Sequence, residues 1–382
     1  MTVAKVVIVG AGPTGLALAA ELTRLGRTPL VLDQLSAGQN TSRAAVVHAR
    51  TLEALQPLGV VPELLAAGVK VATFRVRDRN KVLTTIDFSD LETEFPYTLM
   101  CPQDVTEGIL LRRLENLGGS VMRPCLVTGI REAAGALEVA YSVDTESKAI
   151  KTRWLIGCDG AHSIVRNHTG IAFGGSTYDE SSILADVEMD WPLGRDEVSL
   201  FLSERGLVVV APLPDNHFRI VATVDQAREH PSLDDFRAIL HDRGPTSGAV
   251  QVKRLVWSSR FRVGHRVAER FMLGHVLLAG DAAHVHSPAG GQGMNTGVQD
   301  AISLAQALAT TLDDGDLARL DHWAHDRQNV AKSVVSFTDR MTKFATVSSP
   351  AVKAIRNTLL EVLGGLPYAQ HALARKLAEL DN

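Results

Sequence analysis

A glycine-rich segment from Gly280 to Ala301 carries the residue types best suited to holding a charged ligand. It reads Gly-Asp-Ala-Ala-His-Val-His-Ser-Pro-Ala-Gly-Gly-Gln-Gly-Met-Asn-Thr-Gly-Val-Gln-Asp-Ala. The apolar run before it, Phe271 to Ala279, predicts a buried strand, and the pattern from about Met294 to Ala309 predicts a helix. The segment therefore reads as the end of a strand, a turn and the start of a helix.

The chemistry of this turn follows from its glycines. Gly290, Gly291 and Gly293 leave little beyond bare backbone before the helix, where free N–H groups and the positive end of the helix dipole favour a phosphate or an anionic ring. Asp281, directly after the strand and Gly280, could accept hydrogen bonds from sugar-type hydroxyls. A glycine-rich helix start serves close packing as often as ligand binding, so partner motifs are needed elsewhere.

A second glycine motif near the N-terminus supplies such a partner. The run Lys5 to Val9 predicts a strand, Gly10-Ala11-Gly12-Pro13-Thr14-Gly15 follows it, and Leu16 to Leu25 has a helical pattern. A second strand, Pro29 to Leu32, leads to Asp33. A dinucleotide-binding fingerprint has this order: a strand, the glycines, a helix, a second strand and an acidic residue.

Each residue of the fingerprint has a physical role. Gly10 makes the tight turn, Gly12 lets the backbone approach a pyrophosphate, and Gly15 lets the helix pack close to the strand. Asp33, which lies 18 residues beyond Gly15, can hold an adenosine ribose. An acid at this place favours a ribose hydroxyl over a 2′-phosphate.

Three further segments bring polar side chains to predicted turns. Arg43 is a candidate contact for a phosphate or a flavin ring, although a loop arginine can equally be solvated. Gln103 begins a predicted helix and could bond a ribityl chain or only cap the helix. Asp159-Gly160, with Arg166 six residues on, again follows a predicted strand and leads into a helix.

Composition excludes several classes of function. The 382 residues are 45% hydrophobic, and 39 Lys and Arg against 43 Asp and Glu give a net charge of -4, which offers no general reason to bind nucleic acid or acidic membranes. Cys101, Cys125 and Cys158 form no Cys-x-x-Cys pair, so no disulfide framework and no metal site is expected. With no basic and apolar leader and no membrane-spanning run, a cytoplasmic protein is expected.

The remaining patterns predict an α/β fold with an inserted sheet. Short strands between Ser182 and Val263, with one helix from Leu233 to Asp242, predict a mostly antiparallel sheet that would wall a substrate site. The predicted nucleotide-binding domain is discontinuous. Its parts are 1–72, 98–175 and 265–345; the predicted substrate-binding sheet domain comprises 73–97 and 176–264, and C-terminal helices occupy 346–382.

With these motifs in view, the sequence resembles from end to end the group A flavoprotein aromatic hydroxylases, which share the para-hydroxybenzoate hydroxylase fold. The resemblance implies a Rossmann-like FAD-binding domain of that type. It also implies cofactor contacts at the residues that match the family's motifs: Gly10, Gly12, Pro13, Thr14, Gly15, Asp33, Arg43, Gln103, Asp159, Gly160, Arg166, Gly280, Asp281, Pro288, Gly291, Gly293, Met294 and Asn295. Of these, Pro288 and Arg43 are expected to act in catalysis.

Within the family the sequence is most similar to the polyketide and phenol hydroxylase branch, on the segments Ser42-Arg43-Ala44, Arg50-Thr51-Leu52-Glu53 and Pro102-Gln103. Many members of that branch continue into a C-terminal thioredoxin-like domain, which this chain is expected to lack. Asp33 stands where Glu is commoner, and Gln34 where Arg commonly follows. The inserted sheet matches no member closely enough to transfer a substrate.

The resemblance implies a reaction. An FAD-dependent monooxygenase would hydroxylate a phenolic or polycyclic aromatic substrate with NADPH or NADH and O2 through a flavin C4a-hydroperoxide, as a monomer or homodimer. A base or relay for the phenol is expected. His217, His284 and His286 are possible, although a lone histidine is more often structural.

The same residues bear on other classes of protein. A disulfide-reductase-like flavoprotein would need a second glycine motif in midchain and a redox cysteine pair, and the sequence has neither. A flavin-dependent halogenase would need a Trp-x-Trp-x-Ile-Pro motif, which Trp154, Trp191, Trp257 and Trp323 are too far apart to form. A flavin-binding sensor or partner-binding protein without turnover, or a flavin monooxygenase acting on a non-phenolic substrate, stays open.

Overall fold

The computed structural model describes residues 2–38, 44–133, 135–144, 146–345 and 350–381. The predictions made for Arg43 lie outside these residues. The strands are β1 (Thr2–Val9), β2 (Leu30–Leu32), β3 (Val46–Val47), β4 (Val69–Val71), β5 (Thr73–Asp78), β6 (Lys81–Asp87), β7 (Thr98–Met100), β8 (Val121–Met122), β9 (Leu126–Ala133), β10 (Ala136–Val143), β11 (Glu146–Gly157), β12 (Phe173–Asp190), β13 (Glu197–Ser203), β14 (Gly206–Pro212), β15 (His217–Val224), β16 (Gln251–Ala268), β17 (Met272–Leu273), β18 (Val276–Leu278) and β19 (His284–Val285).

The α-helices are α1 (Pro13–Arg24), α2 (Ala49–Leu55), α3 (Val61–Ala67), α4 (Gln103–Asn116), α5 (Ile164–Thr169), α6 (Leu233–Arg243), α7 (Gly293–Asp314), α8 (Ala318–Ala345), α9 (Pro350–Gly364) and α10 (Pro367–Leu377). Short 3-10 turns occupy Gln56–Leu58, Gly280–Ala282 and Ala289–Gly291. None of the helices in the described ranges is both long enough and apolar enough to cross a membrane.

The first sheet carries the glycine motifs. Its main path runs β17-β18-β11-β1-β2-β8, and β1 pairs in parallel with both β11 and β2. Helix α1 packs against α7 and α4, and its buried Leu16, Leu18 and Leu22 belong to the same core as Ile8 and Trp154. Parallel strands bring their carboxyl ends to one edge, so this sheet gathers the turns after β1, β11 and β18.

The second sheet is antiparallel apart from one parallel pair. Its order is β19-β16-β12-β15-β14-β13-β5-β6, with β13 and β5 parallel. Helix α6 covers one face, where Phe236 and Leu240 pack with Phe201 and Ile220. The other face is free to line a cavity. These observations confirm the predicted α/β fold with a second, mostly antiparallel sheet.

Three predicted elements differ from the observed ones. The expected single strand from Phe271 to Ala279 is a hairpin of β17 and β18, because Gly274 turns the chain at a φ of 58°. The pattern from Val121 to Ile130 predicts one strand, but the structure has two, β8 and β9, with Pro124 between them. The second sheet was expected to contain only short strands, but β12 and β16 are each 18 residues long because they pair with each other over most of their length.

Candidate functional site

A large cavity is lined by the first and second sheets and by residues of a third, three-stranded sheet, β3-β7-β4. Its volume is about 1920 Å³, and its walls include the turn after β1, the turn after β11, the start of α7 and the uncovered face of the second sheet. Pockets for a single small ligand usually measure about 300–1,000 Å³. The cavity is therefore large enough for a long cofactor and a second ligand together.

The fingerprint glycines differ in what surrounds them. Gly10 has a φ of +99°, and a Cβ there would lie 2.3 Å from the carbonyl oxygen of Cys158. A Cβ on Gly15 would lie 2.0 Å from the carbonyl oxygen of Gly10, so both positions are needed for close packing. A Cβ on Gly12 would meet nothing within 4 Å, and Gly12 lines the cavity. The backbone at Gly12 is therefore open to a ligand in the cavity.

Asp33 lies at the cavity wall and already accepts backbone hydrogen bonds. Its Oδ2 accepts from the Ala11 N–H at 2.7 Å and its Oδ1 from the Leu35 N–H at 2.9 Å. A carboxylate has about four acceptor positions, so a ribose hydroxyl can still bind. The ribose contact stays a prediction.

Arg123 is a cavity residue that sequence reasoning missed. Its Nε lies 3.6 Å from Asp33 Oδ1, and its Nη2 donates to the carbonyl oxygen of Ala11 at 3.1 Å. Arg123 thus places a cation beside Asp33. The residue after Asp33 is Gln34 in this sequence, where the family more commonly has an arginine. No signal in the sequence links Arg123 to Asp33, since the pairing of β2 with β8 brings them together.

The Asp159-Gly160 turn is fixed by its own carboxylate. Asp159 Oδ2 accepts from the N–H groups of Ile164 at 2.7 Å and Val165 at 3.2 Å, which holds the start of α5. Its Oδ1 is buried without a hydrogen-bond partner in the part of the chain that is described, and burial raises the pKa of Asp159. A donor from a bound ligand would satisfy this oxygen.

Arg166 ties two of the motifs together. Its Nη1 donates to the carbonyl oxygen of Ala282 at 2.8 Å, and its Nη2 donates to that of Ala161 at 2.8 Å. The guanidinium also lies 3.8 Å from the centre of the Phe173 ring. Arg166 lines the cavity, and these bonds make it a link between the turn after β11 and the turn after β18.

The turn after β18 packs on the fingerprint helix through glycine. A Cβ on Gly280 would lie 2.5 Å from Thr14 Oγ1, and one on Gly297 would lie 2.6 Å from the same atom. Helix α7 therefore sits close to the start of α1. Asp281, beside Gly280, is exposed and lines the cavity.

Asn295 lies behind the cavity wall. Its Nδ2 donates to the carbonyl oxygens of Val46 and Gly291, both at 2.8 Å, and its Oδ1 accepts from the His48 N–H at 2.8 Å. His48 Nε2 lies 2.7 Å from the Gly290 carbonyl oxygen, and burial lowers the pKa of His48 to about 4. A neutral His48 and a fully bonded Asn295 therefore hold the glycine turn in shape.

Gln103 faces the cavity at the start of α4. Its Oε1 accepts from the Ala44 N–H at 3.2 Å, and its Nε2 donates to Glu107 Oε1 at 2.8 Å. Both Gln103 and Glu107 line the cavity. The Gln103 side chain thus holds the chain at Ala44 against α4.

The cavity brings together most of the predicted site residues. Gly15, Gly280 and Asn295 do not line it and instead support the elements that do. The predicted residues that line the cavity are Gly10, Gly12, Pro13, Thr14, Asp33, Gln103, Asp159, Gly160, Arg166, Asp281, Pro288, Gly291, Gly293 and Met294.

The three candidate histidines have different surroundings. His217 lies 3.4 Å from Glu188, and His284 is buried with its Nε2 2.7 Å from Asp300 Oδ2; neither lines the cavity. His286 lines it, and burial with the neighbouring His284 lowers the pKa of His286 to about 4. Of the three, only His286 is placed to face a ligand, as a neutral imidazole.

A buried carboxyl group supports α7 from the C-terminal side. Glu379 is fully buried; its Oε1 accepts from Thr296 Oγ1 at 3.0 Å and its Oε2 accepts from Gln299 Nε2. Burial raises the pKa of Glu379 to about 8, so the group is mostly protonated at neutral pH. The position of Glu379 in the sequence does not indicate that it contacts α7.

This raised pKa predicts a dependence of stability on pH. The folded protein binds a proton at Glu379 between pH 4.5 and about 8 that the unfolded chain releases, so the free energy of unfolding should fall as pH rises through that window. We expect Glu379→Gln to remove this part of the dependence. Urea unfolding at several pH values measures it, with the exposed Glu361→Gln on α9 as control; equal pH slopes in all three proteins would contradict the prediction.

Comparison with known proteins places the chain in a family. A family described as FAD binding domain matches residues 3–338. The chain belongs to this family of flavin-dependent aromatic monooxygenases. It is 35% identical to a flavin-dependent monooxygenase of Mycobacteroides abscessus, over 91% of this chain and 76% of that protein. It is 34% identical to the 12-dehydrotetracycline 5-monooxygenase/anhydrotetracycline 6-monooxygenase of Streptomyces rimosus, over 98% of this chain and 76% of that protein.

A solved structure has the same architecture. The p-nitrophenol 4-monooxygenase of Pseudomonas putida superposes with a TM-score of 0.90 at 26% identity, over 100% of this chain and 99% of that one. The predicted fold and the predicted FAD-dependent enzyme class are confirmed. Members of the family use NAD(P)H and O2.

The residues present fit FAD. Helix α1 starts with no side-chain cap on Gly12, and α7 starts with none on Gln292, so N–H groups at both starts are left for a ligand. The open space at Gly12 suits a pyrophosphate, and the unpartnered oxygen of Asp159 suits a donor. The two helix starts lie on one cavity, as a cofactor with two ends requires.

Proposed function

We propose that this protein hydroxylates a phenolic or polycyclic aromatic compound with NADPH or NADH and O2. The observation that carries the proposal is a single cavity that joins the nucleotide motifs to a mostly apolar sheet face. Bound FAD would supply the redox chemistry, namely hydride acceptance from the nicotinamide and activation of oxygen.

Residues at different places along the cavity would bind different parts of FAD. The start of α1 at Gly12 to Thr14 would bind the pyrophosphate, and Asp33 with Arg123 would bind the adenosine ribose. Gln103, Asp159 and Asp281 would hold the chain between the two ends of the cofactor. This assignment follows from the positions of these residues on the cavity wall.

At the other end, the start of α7 at Gly293 and Met294 would stabilise negative charge on the reduced ring, because its N–H groups and dipole favour an anion. Pro288, with no N–H of its own, would shape the wall beside the reacting edge. Arg43 is proposed to act at the same ring.

The second sheet would exclude water and hold the substrate. Phe74, Leu200 and Val209 are among its cavity residues, and an apolar wall slows hydrolytic side reactions. Segments 73–97 and 176–264 therefore form the proposed substrate-binding domain, and 1–72, 98–175 and 265–345 the FAD-binding domain. The third proposed part is the C-terminal segment 346–382, whose helices α9 and α10 contribute Leu360 and Leu377 to the cavity wall.

The proposed setting is the cytoplasm, with the protein as a monomer or homodimer and without nucleic acid or membrane as a partner. The net charge of -4 supports small-molecule chemistry rather than binding to a polyanion.

Oxidation of NADPH and NADH under air, with a panel of mono- and polycyclic phenols, tests this function. We expect one class of phenol to accelerate oxidation and to give a product heavier by one oxygen atom in mass spectrometry. Hydrogen peroxide measured in parallel separates hydroxylation from uncoupled oxidation. A flavin-loaded protein that no aromatic compound stimulates would contradict the proposal and favour a flavin-binding sensor or a non-phenolic substrate.

A further inference from the structure

Arg219 lies on the cavity face of the second sheet. Along β15, Phe218 and Ile220 pack with α6, whereas Arg219, Val221 and Thr223 line the cavity. Successive side chains of a strand point to opposite faces, so this alternation places Arg219 on the proposed substrate wall.

Two neighbours fix the guanidinium. Arg219 Nε and Nη2 donate to the two carboxylate oxygens of Asp186, each at 2.8 Å. Trp257 Nε1 donates to Asp186 Oδ2 at 2.7 Å, and the Trp257 ring centre lies 5.7 Å from the guanidinium carbon. A bidentate pair of this kind sets the orientation of the arginine as well as its charge.

One nitrogen of the guanidinium has no partner. Arg219 Nη1 makes no hydrogen bond with the described part of the chain, although the residue is only 4% exposed. A buried donor left without an acceptor destabilises the protein, and such groups in native structures call for an explanation. An acceptor atom of a bound ligand would satisfy Nη1.

The surrounding wall makes this donor distinctive. On β5, β6, β13, β14 and β15, which are described in full, Arg219 is the only charged residue that lines the cavity. The other lining residues of these strands are apolar, apart from the hydroxyls of Thr84 and Thr223. An aromatic ligand on this part of the wall would therefore meet one guanidinium donor, that of Arg219, whereas the other cavity-lining arginines of the sheet, Arg260, Arg262 and Arg266, lie on β16.

We propose that Arg219 is a specificity-determining residue whose Nη1 donates a hydrogen bond to an uncharged acceptor oxygen, a ring carbonyl or a phenol, on the aromatic substrate. The inference rests on the proposed function and narrows its substrate class. Asp186 neutralises the guanidinium, so the pair presents a donor without net charge. Such a donor favours a carbonyl or phenol oxygen over a carboxylate.

Three ligands with one skeleton test the proposal: naphthalene, 1-naphthol and 1-naphthoate. Their dissociation constants are measured by equilibrium dialysis with the flavin-loaded protein, in the absence of NAD(P)H. We expect Arg219→Met to reduce the preference for 1-naphthol over naphthalene by about 10-fold to 100-fold, the range for one hydrogen bond to a charged group. Arg262→Met, which removes another cavity-lining arginine, should leave that preference unchanged.

A second variant guards against misfolding. Arg219→Met alone leaves Asp186 buried and uncompensated, so Arg219→Met combined with Asp186→Asn removes both charges and keeps an acceptor for Trp257. The same loss of preference is expected. A general loss of structure would weaken naphthalene and 1-naphthol alike, so the ratio reports on the hydrogen bond itself.

Three results would overturn the proposal. The first is an unchanged preference in both variants. The second is tighter binding of 1-naphthoate than of 1-naphthol that Arg219→Met abolishes, which would make Arg219 an anion site. The third is an unchanged preference with an altered flavin absorbance in the ligand-free variant, which would assign Nη1 to the flavin. Failure of the proposed function would be visible separately, as wild-type NAD(P)H oxidation that no aromatic compound accelerates.

Discussion

Replacing Gly12 with valine is expected to abolish stable binding of FAD while leaving the fold intact. The φ of Gly12 is -75°, which valine adopts without strain, and a Cβ there meets no protein atom within 4 Å. The added side chain would instead occupy the space proposed for the pyrophosphate. We expect the dissociation constant for FAD to rise by roughly 100-fold or more, equivalent to about 3 kcal/mol.

The measurement is flavin content from the visible absorbance of the purified protein, followed by titration of the apoprotein with FAD. Gly129→Val is the matched control, because a Cβ at Gly129 meets only Ala140 Cβ at 3.8 Å and the position does not line the cavity. Circular dichroism should show all three proteins folded. Full flavin content in Gly12→Val would count against the assignment of this turn to the pyrophosphate.

Replacing Asp300 with alanine should produce the largest loss of stability on α7. Asp300 is fully buried; its Oδ2 lies 2.7 Å from His284 Nε2 and accepts from the Gly280 N–H at 3.2 Å, while its Oδ1 accepts from Arg327 Nε at 2.6 Å. Removing the carboxylate leaves the buried Arg327 without its partner. Breaking one side of a buried pair costs about 3–5 kcal/mol.

The pH dependence of this loss has a definite sign. Burial by itself raises the pKa of Asp300, but Arg327 and His284 outweigh it and hold the pKa below the usual 3.8. The carboxylate therefore stabilises the fold above the pKa of the unfolded chain, and this contribution is lost as pH falls through the lower pKa of the folded state.

Urea unfolding at neutral and acid pH measures both effects. The difference between wild type and Asp300→Ala should be greatest near neutral pH and should shrink in acid. Asp314→Ala is the control on the same helix, since Asp314 is half-exposed and pairs with Arg319 at the surface, where such pairs contribute about 0–1 kcal/mol. Equal stabilities of the two variants at neutral pH would show that the Asp300 network does not hold α7.

The local parts of the site could be predicted because their causes are local. Gly15 is a glycine because a Cβ there would meet the carbonyl oxygen of Gly10, five residues earlier, and Gly10 itself has a φ of +99° that favours glycine; a few consecutive residues therefore encode this turn. In the turn before α7 the local cause is the backbone conformation, since Gly290 and Gly291 have φ values of 81° and 69° that favour glycine. For this reason the motif residues, the order of the elements and the binding of a dinucleotide could be derived from short stretches of sequence. That the dinucleotide is FAD followed from the resemblance of these motifs to a known family.

The contacts between distant segments could not be predicted in this way. Arg123 reaches Asp33 only because β8 pairs with β2, and Glu379 reaches α7 only because the C-terminal helices fold back on it. Lengths of strands also depended on partners: β12 and β16 are long because each satisfies the backbone of the other. The type of a single residue does not indicate which distant segment it will contact.

By itself, then, the sequence determined the α/β fold class and the dinucleotide-binding fingerprint, since both depend on backbone geometry that consecutive residues impose. FAD and the class of reaction followed from the resemblance of these motifs to a known family. Tertiary structure alone decided which histidine faces the cavity, and it alone brought Asp186 and Trp257 to Arg219. The physical reason is that hydrogen bonds and burial act through space. Neighbours that are far away along the chain decide whether a polar side chain is protonated and which of its donors are already hydrogen-bonded.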